Sequence, residues 1–354
     1  LKAGLAASTT NPIAVVTDTA AWPASVPAPF VDFTLTDPKT GKNLGLEQLP
    51  QAIAAGTKFF NLGFVTAQVY PKPGDQFDTV LRTFIDEVRA AGGDVAISFG
   101  GESNSELADF VQSDAAIAPA NKLSTLVGLY SAIIDQYKLT HVDFDIEGGA
   151  LTDRPAMALR SKAIAALEAK YPGLQVSFTL PITPDGLDAF AMPVVQSAIA
   201  NNVNIALING MAMNFGPWWD QKFGNDMAAM IISAGDNLFV QLKKLYADKT
   251  DAQLWHMVGI TVRIGLNYAA PGAVPPLPPE TVTGPTTAKL LGVPDVAQLT
   301  LGWAESKGIG LLSMWSLGRD QARTDYGRNP EDALSSDIPQ ANLEFSTLFD
   351  QLDK

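Results

Sequence analysis

The sequence predicts a (β/α)8 barrel built as a single domain. Three observations carry that prediction. Eight short, almost wholly apolar segments recur along 354 residues. Stretches with helical periodicity lie between them. Charged residues make up only 17% of a chain that is 47% hydrophobic, so there is ample material for one large core. Segments apolar on both faces are what parallel strands buried between helices and a barrel interior require. Their alternation with helices over this length fits a closed barrel, with a doubly wound open sheet as the competing architecture.

In order, the expected strands are Val31–Leu35, Lys58–Val65, Asp94–Phe99, His141–Glu147, Gln175–Leu180, Ala206–Phe215, Val258–Gly265 and Gly310–Trp315. Each is rich in β-branched or aromatic residues. Among the helices, Phe77–Ala91 places Val80, Leu81, Phe84, Ile85 and Val88 on one face. Met157–Lys170 and Leu238–Ala247 read the same way. Asp295–Lys307 precedes the last strand, with Asp295 as N-cap and Gly308 as the stop. Residues 1–25 are small and polar and form an N-terminal extension that wraps the barrel or frays. Residues 26–354 form the catalytic barrel. Pro271–Pro285, PGAVPPLPPETVTGP, reads as a long stiff loop after the seventh strand.

A net charge of −13 repels a polyanion and excludes nucleic acid as a partner. No window reaches the ~20 consecutive apolar residues of a membrane span. Without cysteine there are no disulfides, zinc–thiolate sites or cysteine nucleophiles. His141 and His256 are the only histidines. The chemistry therefore falls to carboxylates, with no cofactor expected. A chain beginning at Leu1 fits a secreted protein that has lost its leader, and a monomer is expected.

Leu139–Gly149, LTHVDFDIEGG, is the most informative stretch. Asp143, Asp145 and Glu147 stand at alternate positions, so on a strand they share one face, while Val142, Phe144 and Ile146 share the other. Three acids on a buried face repel each other and hold at least one proton between them. Glu147 lies at the carboxyl end of its strand, the active-site rim of a barrel. A protonated glutamic acid there is suited to general acid catalysis. A solvated edge strand or a three-carboxylate metal site are the alternatives. Acids two apart on one strand splay poorly around one ion, so no metal is expected.

Here the sequence resembles glycoside hydrolase family 18, of the bacterial chitinase type, which carries a D-x-D-x-E run at the end of its fourth barrel strand. The resemblance implies that Glu147 is the acid and that Asp145 orients the substrate's N-acetyl group. The acetamide oxygen is then the nucleophile, an exception to the two-carboxylate scheme. Asp143 completes the set. DVAISFGG resembles the family's S-x-G-G, implicating Ser98, Gly100 and Gly101. Trp315 resembles the tryptophan that floors the sugar pocket. MAMNFG stands where relatives carry Met-x-Met-Asp-Tyr-Gly, which maps Met211 and Met213 onto the methionines, Asn214 onto the Asp and Phe215 onto the Tyr. TVRIGLNY resembles M-I-G-x-N-D, making Asn267 a sugar ligand, with Tyr268 in place of the acid. LPITPDG and the Asp226–Met227 pair add to the match. Trp218 and Trp219 form a sugar-stacking subsite or an apolar plug.

The resemblance runs from Pro29 to Asp320. It implies retaining, endo-acting hydrolysis of β-1,4-linked N-acetylglucosamine polymers, with chitin or its oligosaccharides as the partner. An endo-β-N-acetylglucosaminidase acting on N-glycans and a non-catalytic lectin are the other implied activities.

Overall fold

The computed structural model of the chain describes residues 20–103, 105–267, 277–322 and 333–352. The eight expected strands all form, with shifted ends. The first is split into β1 (Val26–Pro27) and β2 (Phe30–Asp32). The others are β3 (Phe59–Val65), β4 (Asp94–Gly100), β5 (His141–Asp145), β6 (Gln175–Thr183), β8 (Ile205–Ala212), β9 (Val258–Arg263) and β10 (Leu311–Trp315); a short β7 (Gly186–Leu187) hairpins onto β6. All pairings around the barrel are parallel, in the order β1-β10-β9-β8-β6-β5-β4-β3-β2. The split first strand closes the ring. β1 pairs with β10 and β2 with β3. At the break, Asn61 N–H donates to Pro29 O (3.0 Å) and Ser313 Oγ to Ala28 O (2.6 Å).

The helices were less fully foreseen. α2 (Gln76–Ala90) starts one residue after Asp75, whose carboxylate accepts from Asp78 N–H. α5 (Arg154–Lys170) begins earlier than expected because Asp153 caps it and Pro155 suits a first turn. α8 runs Met227–Leu245, not from Leu238, with Asp226 as its cap. Its first half buries Met227, Met230 and Ile231 together with the small Ala228, Ala234 and Gly235. A Cβ on Gly235 would lie 2.2 Å from the Trp303 ring, so glycine is what lets α11 (Val296–Lys307) dock there. Asp295 and the left-handed Gly308 bound α11 as expected. Also present are α1 (Leu44–Ala55), α3 (Leu107–Ser113), α4 (Lys122–Tyr137), α6 (Met192–Ala200), α7 (Pro217–Lys222), α9 (Asp251–His256), α10 (Pro285–Leu291) and α12 (Glu344–Phe349).

The main core lies between strands and helices. Phe99, Phe144 and Phe178 stack in register across β4, β5 and β6, at 5.4 and 5.7 Å, with Tyr130 of α4 edge-on to Phe144. Residues 20–25 neither fray nor wrap the outside. Trp22 stacks on His141 at 4.4 Å and covers the amino end of the barrel. Residues 1–19 and the first part of the Pro271–Pro285 loop lie outside the described residues.

Candidate active site

The site is built in two tiers of inward-facing residues. Across β4, β5 and β6, Ser98, Asp143 and Ser177 share one register row; Gly100, Asp145 and Thr179 share the next row toward the carboxyl end. The lower row is a carboxylate in a cage of hydroxyls. Ser98 Oγ and Ser177 Oγ each donate to Asp143 at 2.6 Å, and Thr179 Oγ1 lies 3.0 Å from both its oxygens. Burial raises the Asp143 carboxyl to about 6, against the pull of those donors. Thr179 also accepts from Asn209 Nδ2 (3.0 Å), which reaches Thr261 Oγ1 (2.7 Å). The cage thus extends across the barrel to β9.

Asp145 sits one row higher and is fully buried. Burial raises it well above the usual carboxylate range, and the charges of Glu147 and Asp143 push the same way. Its Oδ1 is buried with no hydrogen-bond partner among the described residues. The row has room for this because residue 100 is glycine. A Cβ there would lie 2.0 Å from Asp145 O, and φ is 115°. Glu147 lies just past the end of β5, correcting the expected strand end, but its backbone stays extended at φ −134°, ψ 169°. The alternation therefore continues, and Glu147 faces the same way as Asp145. Burial first, and the charge of Glu102 second, raise Glu147 to about 7. At neutral pH the pair keeps at least one proton.

Above these acids opens a cleft of about 500 Å³. Asp145 and Glu147 line it, as do Met211, Met213, Asn214, Phe215 and Trp315. Trp315 is the end of an aromatic surface: it stacks on Phe64 at 5.5 Å, and Phe30 packs against both. An aromatic face of this kind fits the C–H face of a sugar ring.

Several expected site residues lie elsewhere. Asp143 and Ser98 are buried beneath the cleft, and Gly100 serves as backbone clearance. Asn267 is 6% exposed and does not line the cleft. Its Nδ2 donates to the carbonyls of Arg263 (3.1 Å) and Glu280 (2.5 Å), while its Oδ1 is buried with no partner among the described residues. Trp218 and Trp219 stand on α7, away from the lining. Trp218 is 62% exposed, and Lys222 Nζ lies over both rings at 4.9 and 4.3 Å. Tyr268 lies outside the described residues. Among those residues, no three His, Asp or Glu side chains are gathered as cation ligands.

Sequence reasoning missed Phe30, Phe64, Glu102, Thr179, Asn209, Thr261 and Arg263. A signal existed for four of them. Thr179, Asn209 and Thr261 are polar residues inside otherwise apolar strands, and buried polar groups need partners. Glu102 directly follows the S-x-G-G turn, where a charged side chain had to face the acids or solvent.

No family model matches the chain. It is 30% identical over 315 residues to the "probable bifunctional chitinase/lysozyme" of Escherichia coli (strain K12), covering 85% of this chain and 31% of that protein. It is 29% identical over 312 residues to "endochitinase 11" of Metarhizium anisopliae, covering 85% and 53%. The chain thus spans about a third and about half of these curated relatives. Among solved structures, the catalytic domain of a hyperthermophilic chitinase from Pyrococcus furiosus superposes with a TM-score of 0.72 at 26% identity, covering 95% of this chain and 97% of that one.

Proposed function

We propose that this chain is a hydrolase of glycoside hydrolase family 18, in keeping with the chitinases it is similar to, and that it hydrolyses β-1,4-linked N-acetylglucosamine polymers such as chitin, with retention and from within the chain. The observation that carries the reading is Asp145. It is a buried carboxyl group whose ionisation burial disfavours, it has an unpartnered oxygen, and it lines the cleft beside Glu147. Such a group is suited to receive the N–H of a substrate acetamide. Glu147 gives its proton to the glycosidic oxygen, and the C1–O bond breaks with its electron pair going to that oxygen. The acetamide oxygen bonds to C1, forming an oxazolinium ion, while Asp145 accepts the acetamide N–H. Water then attacks C1, reopens the ring, and gives a proton to the Glu147 carboxylate. Trp315 and Phe64 support the sugar from below. A polymeric substrate cannot cross a membrane, so the reading carries with it a secreted enzyme.

The test is digestion of chitotetraose followed by proton NMR. The first product should be the β-anomer. The α-anomer appearing first would sink the mechanism. Colloidal chitin and a high-mannose glycoprotein, assayed side by side, decide the substrate; release of glycan from the glycoprotein alone would replace chitin as substrate.

A further inference from the structure

The far wall of the cleft is a turn held from behind. Asn214 adopts φ 52° and Gly216 φ 96°. Asparagine tolerates the left-handed region better than most residues, but the N–H groups of such a turn still need acceptors when buried. Here the acceptor is the Glu280 carboxylate. One oxygen accepts the Phe215 N–H at 2.7 Å and the other the Gly216 N–H at 2.6 Å. Glu280 is 1% exposed. Its own carbonyl accepts from the Asn267 amide, which also holds the carbonyl of Arg263 at the end of β9. A continuous run of hydrogen bonds therefore joins the barrel rim to the turn.

A second carboxyl group completes the device. Asp220, on α7, is 7% exposed and hydrogen-bonded to Glu280. A carboxyl group beside another acid is harder to ionise. Burial, and then the charge of Glu280, raise Asp220 to about 6. Where Asp220 carries its proton it donates to Glu280, whose two oxygens each keep a bond from the turn. Burying a carboxylate is costly. A carboxylate offers two acceptor oxygens where an amide offers one, so it can take one N–H on each and still accept from a neighbouring acid.

We infer that Glu280 is a positioning residue of the hydrolytic reaction, fixing the Asn214–Phe215 turn against the acetamide side of the cleft with Asp220 as its donor. The inference rests on the hydrolase reading above. It also accounts for the neutral residue at 214: an acid there would stand one residue from the N–H groups that the Glu280 charge already occupies.

The experiment is a double-mutant cycle on chitotetraose with Asn214→Ala, Glu280→Gln and the double variant. Glu280→Gln should lower kcat roughly 10-fold with KM changed less than about threefold. The double variant should fall within about twofold of the poorer single variant. Losses that multiply overturn the proposal, because damage to folding alone would not depend on Asn214. Should Glu280→Gln not fold, Asp220→Leu takes its place in the same cycle, with Asp220→Asn expected to restore the lost kcat. Failure of that rescue also overturns it. The same cycle in a Glu147→Gln background, read as chitotetraose affinity by calorimetry, separates the two claims. A wild-type chain that neither cleaves nor binds chitotetraose removes the hydrolase reading; a wild-type chain that cleaves it with independent losses removes only the role of Glu280.

Discussion

The two walls of the cleft are made differently. The near wall grows directly from barrel staves. Asp143 and Asp145 lie on β5, and their surroundings are the residues that strand register puts beside them: Ser98, Gly100, Ser177 and Thr179. The far wall begins where β8 ends. Asn214 and Phe215 sit on a turn whose shape is imposed by Glu280, sixty-odd residues later in sequence. The difference teaches where each kind of demand is met. Acids that must share protons need fixed spacing, which a sheet supplies. A wall that shapes the substrate can be hung from loops, and there the sequence is freer to change. The intact acids and the altered MAMNFG segment follow that division.

The comparison breaks most sharply at Glu147. Glu147→Gln keeps the shape and removes the proton. Hydrolysis of chitotetraose should fall by about 10³-fold, the scale of a lost general acid, while calorimetry still detects binding. Substantial residual turnover would place the acid elsewhere. Asp145→Asn comes next, at about 10²-fold, the cost of misplacing a reacting group. Its loss should appear in kcat. A variant defective only in KM would mean that Asp145 holds the sugar without orienting the acetamide.

The same division governs how much could be read from the chain. The near wall was legible because period-two alternation in LTHVDFDIEGG is a local signal, and Val142, Phe144 and Ile146 marked the strand as buried on its other side. Long-range pairing was not local. Nothing near Asn267 shows that its Nδ2 would donate to the carbonyls of Arg263 and Glu280, so it read as a sugar ligand. Ser98 was rightly tied to the acids, yet its register with Asp143 puts it beneath the cleft and out of the substrate's reach. Trp218 and Trp219 followed Asn214 closely in sequence, but α7 turns away after Gly216. The eight strands were readable from composition. The start of α8 was missed although Met227, Met230, Ile231 and Leu238 share one buried face behind the Asp226 cap, because Ala228, Ala229, Ala234 and Gly235 dilute that stripe.

The far wall can be improved where the near wall can only be damaged. Phe215 lines the cleft and has no hydroxyl. Phe215→Tyr adds a donor facing the substrate, and one net hydrogen bond is worth about 0.5–1.5 kcal/mol. An increase in kcat/KM of about fivefold is expected, measured on chitotetraose. An unchanged or lower value would show that the ring's para position does not face the acetamide, and that this wall acts by shape alone.

The smallest effect belongs to Glu102, the exposed acid that follows the Gly100–Gly101 turn of the near wall. Its charge is the second cause, after burial, that raises Glu147 to about 7. The acid form of Glu147 is the active one, so activity is present below that pH and is lost as pH rises through it. Glu102→Gln removes a neighbouring negative charge and makes ionised Glu147 easier to form. The alkaline limb of kcat should therefore move to lower pH. At pH 7 the variant should be roughly two- to threefold slower, and at pH 5 it should match the wild type. Added salt should shrink the gap, because Glu102 is exposed and its field is screened. A limb that stays in place would assign the raised acidity threshold of Glu147 to burial alone, and a limb that moves to higher pH would reverse the sign of the coupling on which the near wall's proton count depends.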